Sequence, residues 1–141
     1  MLILSLCLQW KAHYSTAIDV VEHAANIVRN KQDGLTAGLS PSTVHEKIAR
    51  DDDFILLDVR TDEEYEQERI GGPRVKLLPL GNLRERLGEL PKDKEIVTYC
   101  KISLRGYEAQ RILAGQGFTD VKTLDGGLVA WPYEKVSGEQ G

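Results

Sequence analysis

Apolar and polar positions follow two different periods along this chain. Leu2, Leu4, Leu6, Leu8 and Trp10 recur at every second residue with Ser5, Cys7 and Gln9 between them, which predicts a strand. Ser15 or Thr16 is placed to cap a helix that runs to about Lys31. Its apolar residues (Ala17, Ile18, Val20, Val21, Ala24, Ala25, Ile27, Val28) spread wider than one stripe, so this helix needs cover on more than one side. Asp33-Gly34 ends it, and Leu35 to Leu39 reads as a short linker. From Ser40 the elements alternate. Ser40-Pro41 is a cap followed by a first-turn proline, with Val44 and Ile48 on one helix face. Phe54 to Val59 is a continuous apolar run ending in Asp58-Val59-Arg60, the pattern of a buried parallel strand. Thr61 to Glu64 forms a capping box that opens a short helix. Val75 to Leu78, Glu95 to Tyr99 and Val121 to Leu124 are further strands. Leu80, Leu83, Leu87 and Leu90 space a helix before Pro91, Gly106 to Gln116 forms another, and a short one leads to Trp131. Strands alternating with helices predict an open α/β sheet, mostly parallel.

The chain has 141 residues, enough for one domain with a small appendage and for burying roughly two thirds of the surface exposed on unfolding. Hydrophobic residues at 41% and charged residues at 28% exclude a disordered tail and a membrane protein. The 18 Lys and Arg against 22 Asp and Glu leave a net charge of −4 without a basic stripe, so nucleic acid is not the expected partner. Two cysteines, Cys7 and Cys100, are too few for a disulfide-stapled fold. With His13, His23 and His45 scattered, no metal-ligand motif is present. The apolar stretch from Met1 to Trp10 lacks a preceding positive charge and is too short to span a bilayer. The expected location is a reducing cytoplasm, where a lone cysteine stays a thiol.

Chemistry concentrates in Cys100-Lys101-Ile102-Ser103-Leu104-Arg105. A cysteine stands at the carboxyl end of a buried strand, and a helix follows within a few residues. Sites in open α/β folds form beyond the carboxyl ends of strands. A tight loop running into a helix N-terminus turns backbone N–H groups inward and becomes an anion cradle. Those dipoles, with Lys101 and Arg105, favour a thiolate at Cys100 and an anionic substrate or intermediate. The competing reading is a buried, inert cysteine that ends a strand.

From about Leu39 to Glu134 the chain resembles the rhodanese family of sulfurtransferases. Three motifs carry the resemblance in order: Leu56 to Tyr65, Cys100 to Arg105, and Leu124-Asp125-Gly126-Gly127 through Trp131. The resemblance implies an open five-stranded parallel sheet with helices on both faces. It implies Cys100 as the catalytic residue that becomes a persulfide, taking sulfur from a small anionic donor such as thiosulfate and passing it to a thiol or cyanide. Backbone N–H groups of Lys101, Ile102, Ser103, Leu104 and Arg105 would stabilise the persulfide anion. Arg105 would fix the loop and help hold the donor, and Lys101 would attract anions. Asp58 and Arg60 would stand beside the loop, Asp58 as a hydrogen-bond acceptor, in a structural role. Gly126, Gly127 and Trp131 would be turn and core. No metal and no organic cofactor is implied. The loop of six residues from Cys100 to Arg105 suits sulfur, whereas related phosphatase loops carry one residue more. Two departures stand out. Arg69 to Arg74 replaces the usual His-Ile-Pro-Gly-Ala run, and Ser103 stands where many members have Gly. If that position needs a positive φ, serine strains it by about 1 kcal/mol or more. A weak or inactive binding module is therefore the rival expectation.

Residues Leu6 to Gly34 resemble the end of the dimerisation domain of flavin-dependent pyridine nucleotide–disulfide oxidoreductases. Coenzyme A-disulfide reductases of that group can carry a C-terminal rhodanese domain, so the whole chain is similar to the tail of such a fusion. The division implied is an N-terminal strand–helix segment over 1–37 and a rhodanese domain over 38–136. The segment would dock on the domain or pair in a homodimer through residues 1–34, unless it is simply an extra strand–helix of a compact domain. A sulfur-relay role beside a flavin disulfide reductase is a further expectation.

Overall fold

A computed structural model of the chain describes residues 15–34 and 37–138, with residues 15–20 and 23 as backbone only. The chain divides between residues 36 and 37 into two units. In the first, helix α1 spans Ser15–Gln32, as its apolar period predicts. Arg29 and Lys31 in its last turn complement the helix dipole, and Gly34 follows at φ +69°. The strand expected over residues 2–10, Cys7 included, lies outside the described residues.

The second unit is the α/β sheet. Its elements are β1 (Gly38–Leu39), α2 (Pro41–Ala49), β2 (Phe54–Asp58), α3 (Asp62–Gln67), β3 (Arg69–Ile70), β4 (Val75–Leu77), β5 (Glu95–Tyr99), α4 (Leu104–Gly115), β6 (Val121–Leu124) and β7 (Lys135–Val136). Five strands form one all-parallel sheet in the order β1-β6-β5-β2-β4. β5 is central. It pairs with β2 from Phe54↔Glu95 to Asp58↔Tyr99 and with β6 from Ile96↔Val121 to Thr98↔Thr123.

Alternation across the pleat divides the core in two. Leu57, Val59, Ile96 and Cys100 face a cluster closed by Ala109 and Leu113 of α4 and by Leu83, Leu90 and Phe118. Phe54, Leu56, Val97 and Tyr99 face the other side, covered by Val44 of α2 and by Leu128 and Trp131. Each fully buried Leu, Ile or Phe contributes about 1.5–3 kcal/mol of transfer free energy. Both faces are covered, so β2 shows a continuous apolar run from Phe54 to Leu57 rather than alternation.

The caps form as the sequence predicts. Ser40 accepts from the Thr43 amide, with Pro41 in the first turn. Thr61 and Glu64 exchange the two bonds of the capping box. Three expectations are corrected. The leucines at 80, 83, 87 and 90 do not build a helix but two 3₁₀ turns, Leu80–Asn82 and Leu87–Glu89. Gly81 and Gly88 weaken a continuous helix there, and Leu90 is held extended before Pro91. Leu83 and Leu90 are buried all the same. The short helix expected before Trp131 is a run of turns. Gly38–Leu39, read as linker, is instead the edge strand beside β6. A Cβ on residue 38 would lie 2.3 Å from Asp125 Oδ1, so a larger residue there would have to displace the Asp125 side chain. The atypical segment after Glu68 starts with β3, which pairs antiparallel with β7 and buries Ile70.

Candidate functional site

Cys100 follows β5 directly, and Asp58 ends the neighbouring β2 in register with Tyr99. The carboxyl ends of the two central strands thus open onto one loop, Lys101 to Ser103, which runs into α4. A buried polar network seats α4 on the sheet. Thr98 Oγ1 donates to the Gly106 carbonyl at 2.7 Å, and Gln110 Nε2 donates to the Val121 carbonyl at 2.9 Å.

The sulfur is not sealed in hydrocarbon, although the residue is only 1% exposed and joins an apolar cluster. The Ser103 amide donates to Cys100 Sγ at 3.2 Å. Ser103 achieves this at φ +95°, and its hydroxyl turns aside to donate to the Leu124 carbonyl at 3.3 Å. Serine therefore occupies the left-handed backbone region that favours glycine, the strain foreseen for this position. Ser103→Gly is expected to raise stability by about 1 kcal/mol, the relieved strain less the lost hydroxyl bond. Thermal unfolding would show a higher Tm; an equal or lower Tm would mean that the position is unstrained.

The outer side of the loop is clamped. The Leu128 amide donates to the Cys100 carbonyl at 2.8 Å and the Val129 amide to the Lys101 carbonyl at 3.0 Å. A trans peptide points its N–H opposite to its carbonyl. Hence the amides of Lys101 and Ile102 point away from the 127–129 turn. Gly127, at φ +59°, allows this approach: a Cβ there would meet the Cys100 carbonyl oxygen at 2.5 Å. The sequence reading assigned Gly126-Gly127 to a plain turn, yet it shapes the loop. The signal available was the adjacent glycine pair.

Arg105 does not point freely into solvent. Its Nη1 and Nη2 donate to Glu64 Oε2 and Oε1, each at 2.7 Å, a fork-to-fork pair. In the sequence Glu64 reads only as a capping residue. Its carboxyl is held down at about 2, chiefly by the Arg105 hydrogen bonds and further by the Thr61 amide. The sign follows from this depression. The stability supplied by Glu64 is complete above its ordinary value of 4.5 and is lost as pH falls from there toward about 2. Denaturant titrations across that range should show wild type losing more stability than Glu64→Gln.

Asp58 and Arg60 form a buried pair. Arg60 Nε and Nη2 donate to Asp58 at 2.9 and 2.6 Å, and the side chains are 3% and 0% exposed. Arg60 Nη2 also donates to the Glu68 carbonyl at 2.8 Å, tying the end of α3 to β2. Lys101 is exposed and makes no ion pair among the described residues. Beside it opens a cavity of about 110 Å³ lined by Arg60, Glu64, Gln67, Glu68, Leu128, Val129 and Lys135. Ile102, Leu104 and Val129 stand exposed on the surrounding rim. Among the described residues no cluster of His, Cys, Asp or Glu could hold a metal ion. No described helix is long and apolar enough to cross a membrane.

The structure is an open parallel α/β domain with a cysteine at the carboxyl end of its central strand, four residues before a helix, the class of fold whose sites form at strand carboxyl ends. The chain belongs to one family of that class, the rhodanese-like domains, whose family model matches residues 40–134. It is 34% identical over 93 residues to a sulfurtransferase of Allochromatium vinosum, covering 66% of this chain and 85% of that protein. It is 35% identical over 96 residues to the putative sulfurtransferase YtwF of Bacillus subtilis, covering 68% and 90%. Sulfur transfer is accordingly the general kind of chemistry of this chain.

Among solved structures, an NAD-dependent persulfide reductase from A. fulgidus is 44% identical with a TM-score of 0.66 and covers 85% of this chain. The reduced Bacillus anthracis CoADR-RHD is 32% identical with a TM-score of 0.68 and covers 81%. This chain spans only 20% and 19% of those two proteins. The resemblance to disulfide-reductase fusions read from the sequence is thereby found again in structure.

Proposed function

We propose that Cys100 carries sulfane sulfur as a persulfide. The Cys100 thiolate attacks the outer sulfur of a donor such as thiosulfate. The S–S bond of the donor breaks, sulfite leaves with its electron pair, and Cys100 holds the extra sulfur as an anion. A thiolate or cyanide then attacks that outer sulfur and restores the Cys100 thiolate. The observation that carries this reading is the Ser103 amide aimed at Sγ from a loop whose Cys100 and Lys101 carbonyls are clamped outward. Preorganised amides of this kind stabilise an anion without reorganisation cost. Lys101, exposed beside the cavity and without an ion-pair partner among the described residues, draws the anionic donor in. Arg105 acts mainly as a strut, since its fork is engaged by Glu64. Asp58 and Arg60 support the loop from behind. Ile102, Leu104 and Val129 suit an acceptor thiol with an apolar body better than a bare ion. The test is intact mass after incubation with thiosulfate, with one added sulfur expected.

The similarity to the persulfide reductase and to CoADR-RHD favours a second reading of the acceptor. In it, Cys100 passes its sulfur to the thiol of a disulfide-reductase partner of the flavin type. The N-terminal segment 1–37 is the piece proposed to meet such a partner or a second copy of this chain, with the domain over 38–136 bearing the site. Neither reading calls for a metal or organic cofactor within the domain, and both place the protein in a reducing, cytoplasmic setting.

A further inference from the structure

We propose that Glu64 is a positioning residue for Cys100: it holds Arg105 against the cysteine loop and sets how much of the guanidinium charge the sulfur feels. The inference rests on Cys100 being the reacting thiol. Glu64 and Arg105 lie 41 positions apart in the chain and come together through two bonds of 2.7 Å. The carboxylate is not free to follow the arginine elsewhere. Its Oε2 also accepts from the Thr61 amide at 3.2 Å, so α3's own first turn immobilises it. Arg105 in turn sits one residue into α4, two positions beyond the amide that meets the sulfur. The Arg105 guanidinium is held above its ordinary value chiefly by its bonds to Glu64 and further by attraction to Cys100 and Asp58.

Among the described residues, the charged side chains of β2, α3 and α4 that flank the cysteine loop stand mostly in pairs. From β2 and the residues after it, Asp58 faces Arg60 at 2.6 Å. From the end of α3, Glu68 faces Lys135 at 3.7 Å. Arg105 faces Glu64, and Lys101 is left as the surplus cation. Arg105 therefore reaches the thiolate as one half of a nearly neutral pair. Removing the Glu64 charge alone uncovers the guanidinium beside the sulfur and favours the thiolate. Removing Arg105 alone leaves an uncompensated carboxylate and disfavours it.

The experiment follows the ultraviolet absorbance of the thiolate against pH in a Cys7→Ser background, so that Cys100 alone titrates. Glu64→Gln preserves the side-chain shape and is expected to lower the midpoint by about one pH unit. Arg105→Gln is expected to raise it, and the double variant to fall below Arg105→Gln. Glu64→Gln with a lowered Tm but an unmoved midpoint would reduce Glu64 to a strut and overturn the proposal. Should Glu64→Gln not fold, Glu64→Asp, which keeps the charge but shortens the reach to Arg105, takes its place, and a midpoint equal to that of wild type would overturn the proposal. The titration uses no sulfur donor. Failure to load sulfur would thus sink the sulfur-carrier reading without touching this result, and an unmoved midpoint would do the reverse.

Discussion

One sulfur atom should appear on the wild-type protein after incubation with thiosulfate, on Cys7→Ser equally, and on Cys100→Ser not at all. Serine keeps the size of cysteine and accepts the same bond from the Ser103 amide. The variant should therefore fold normally, with only the chemistry missing. A serine hydroxyl is not ionised near neutrality, and among the described residues no base is hydrogen-bonded at this position, so the nucleophile is lost outright. The expected effect is complete loss of loading, read by intact mass, together with loss of thiocyanate formation from cyanide. Loading that persists in Cys100→Ser would move the sulfur to another residue and remove the site described here. No loading of wild type by any donor would leave a rhodanese-like binding module.

The second large effect belongs to stability. Asp58→Ala should cost about 3–5 kcal/mol, because it leaves Arg60 charged, buried and without its carboxylate. Four bonds disappear together: from the Arg60 amide at 3.0 Å, from Nε at 2.9 and 3.2 Å and from Nη2 at 2.6 Å. The bonds from Arg60 to the Glu64 and Glu68 carbonyls then lose their anchor, so α3 loosens and Glu64 with it. Urea unfolding of the variant would measure this. Replacing both partners, as in Asp58→Ala with Arg60→Met, removes the stranded charge and should recover part of the loss. A single variant that costs less than about 1 kcal/mol would show that Arg60 finds water or another partner, and that the pair does not brace the site.

Much of the site was legible because its signals are local. Phe54 to Leu57 announces a buried strand through an unbroken apolar run, and Ser40-Pro41 and Thr61 to Glu64 announce helix starts. The short connection between a strand and a helix places Cys100 at a sheet end whatever the rest of the chain does. The Leu80–Leu90 segment shows the limit of the same reasoning. Its leucines have helical spacing, but Gly81, Gly88 and Pro91 break the backbone continuity that the spacing assumes. The two-residue strands Gly38–Leu39, Arg69–Ile70 and Lys135–Val136 are too short to display any period, and only their partners define them.

By itself, then, the sequence determined the strand–helix alternation, the cysteine at a strand's carboxyl end and the six-residue reach to Arg105. Each of these is set by neighbours within a few positions, where propensity, capping and pleat act. The tertiary structure alone decided that Arg105 meets Glu64, that Gly127 to Val129 clamp the cysteine loop, and that Asp58 and Arg60 are buried together. The first two depend on where helices and turns from distant parts of the chain come to rest. The third depends on the sheet and α3 closing over a pair whose sequence spacing would equally fit a solvated surface.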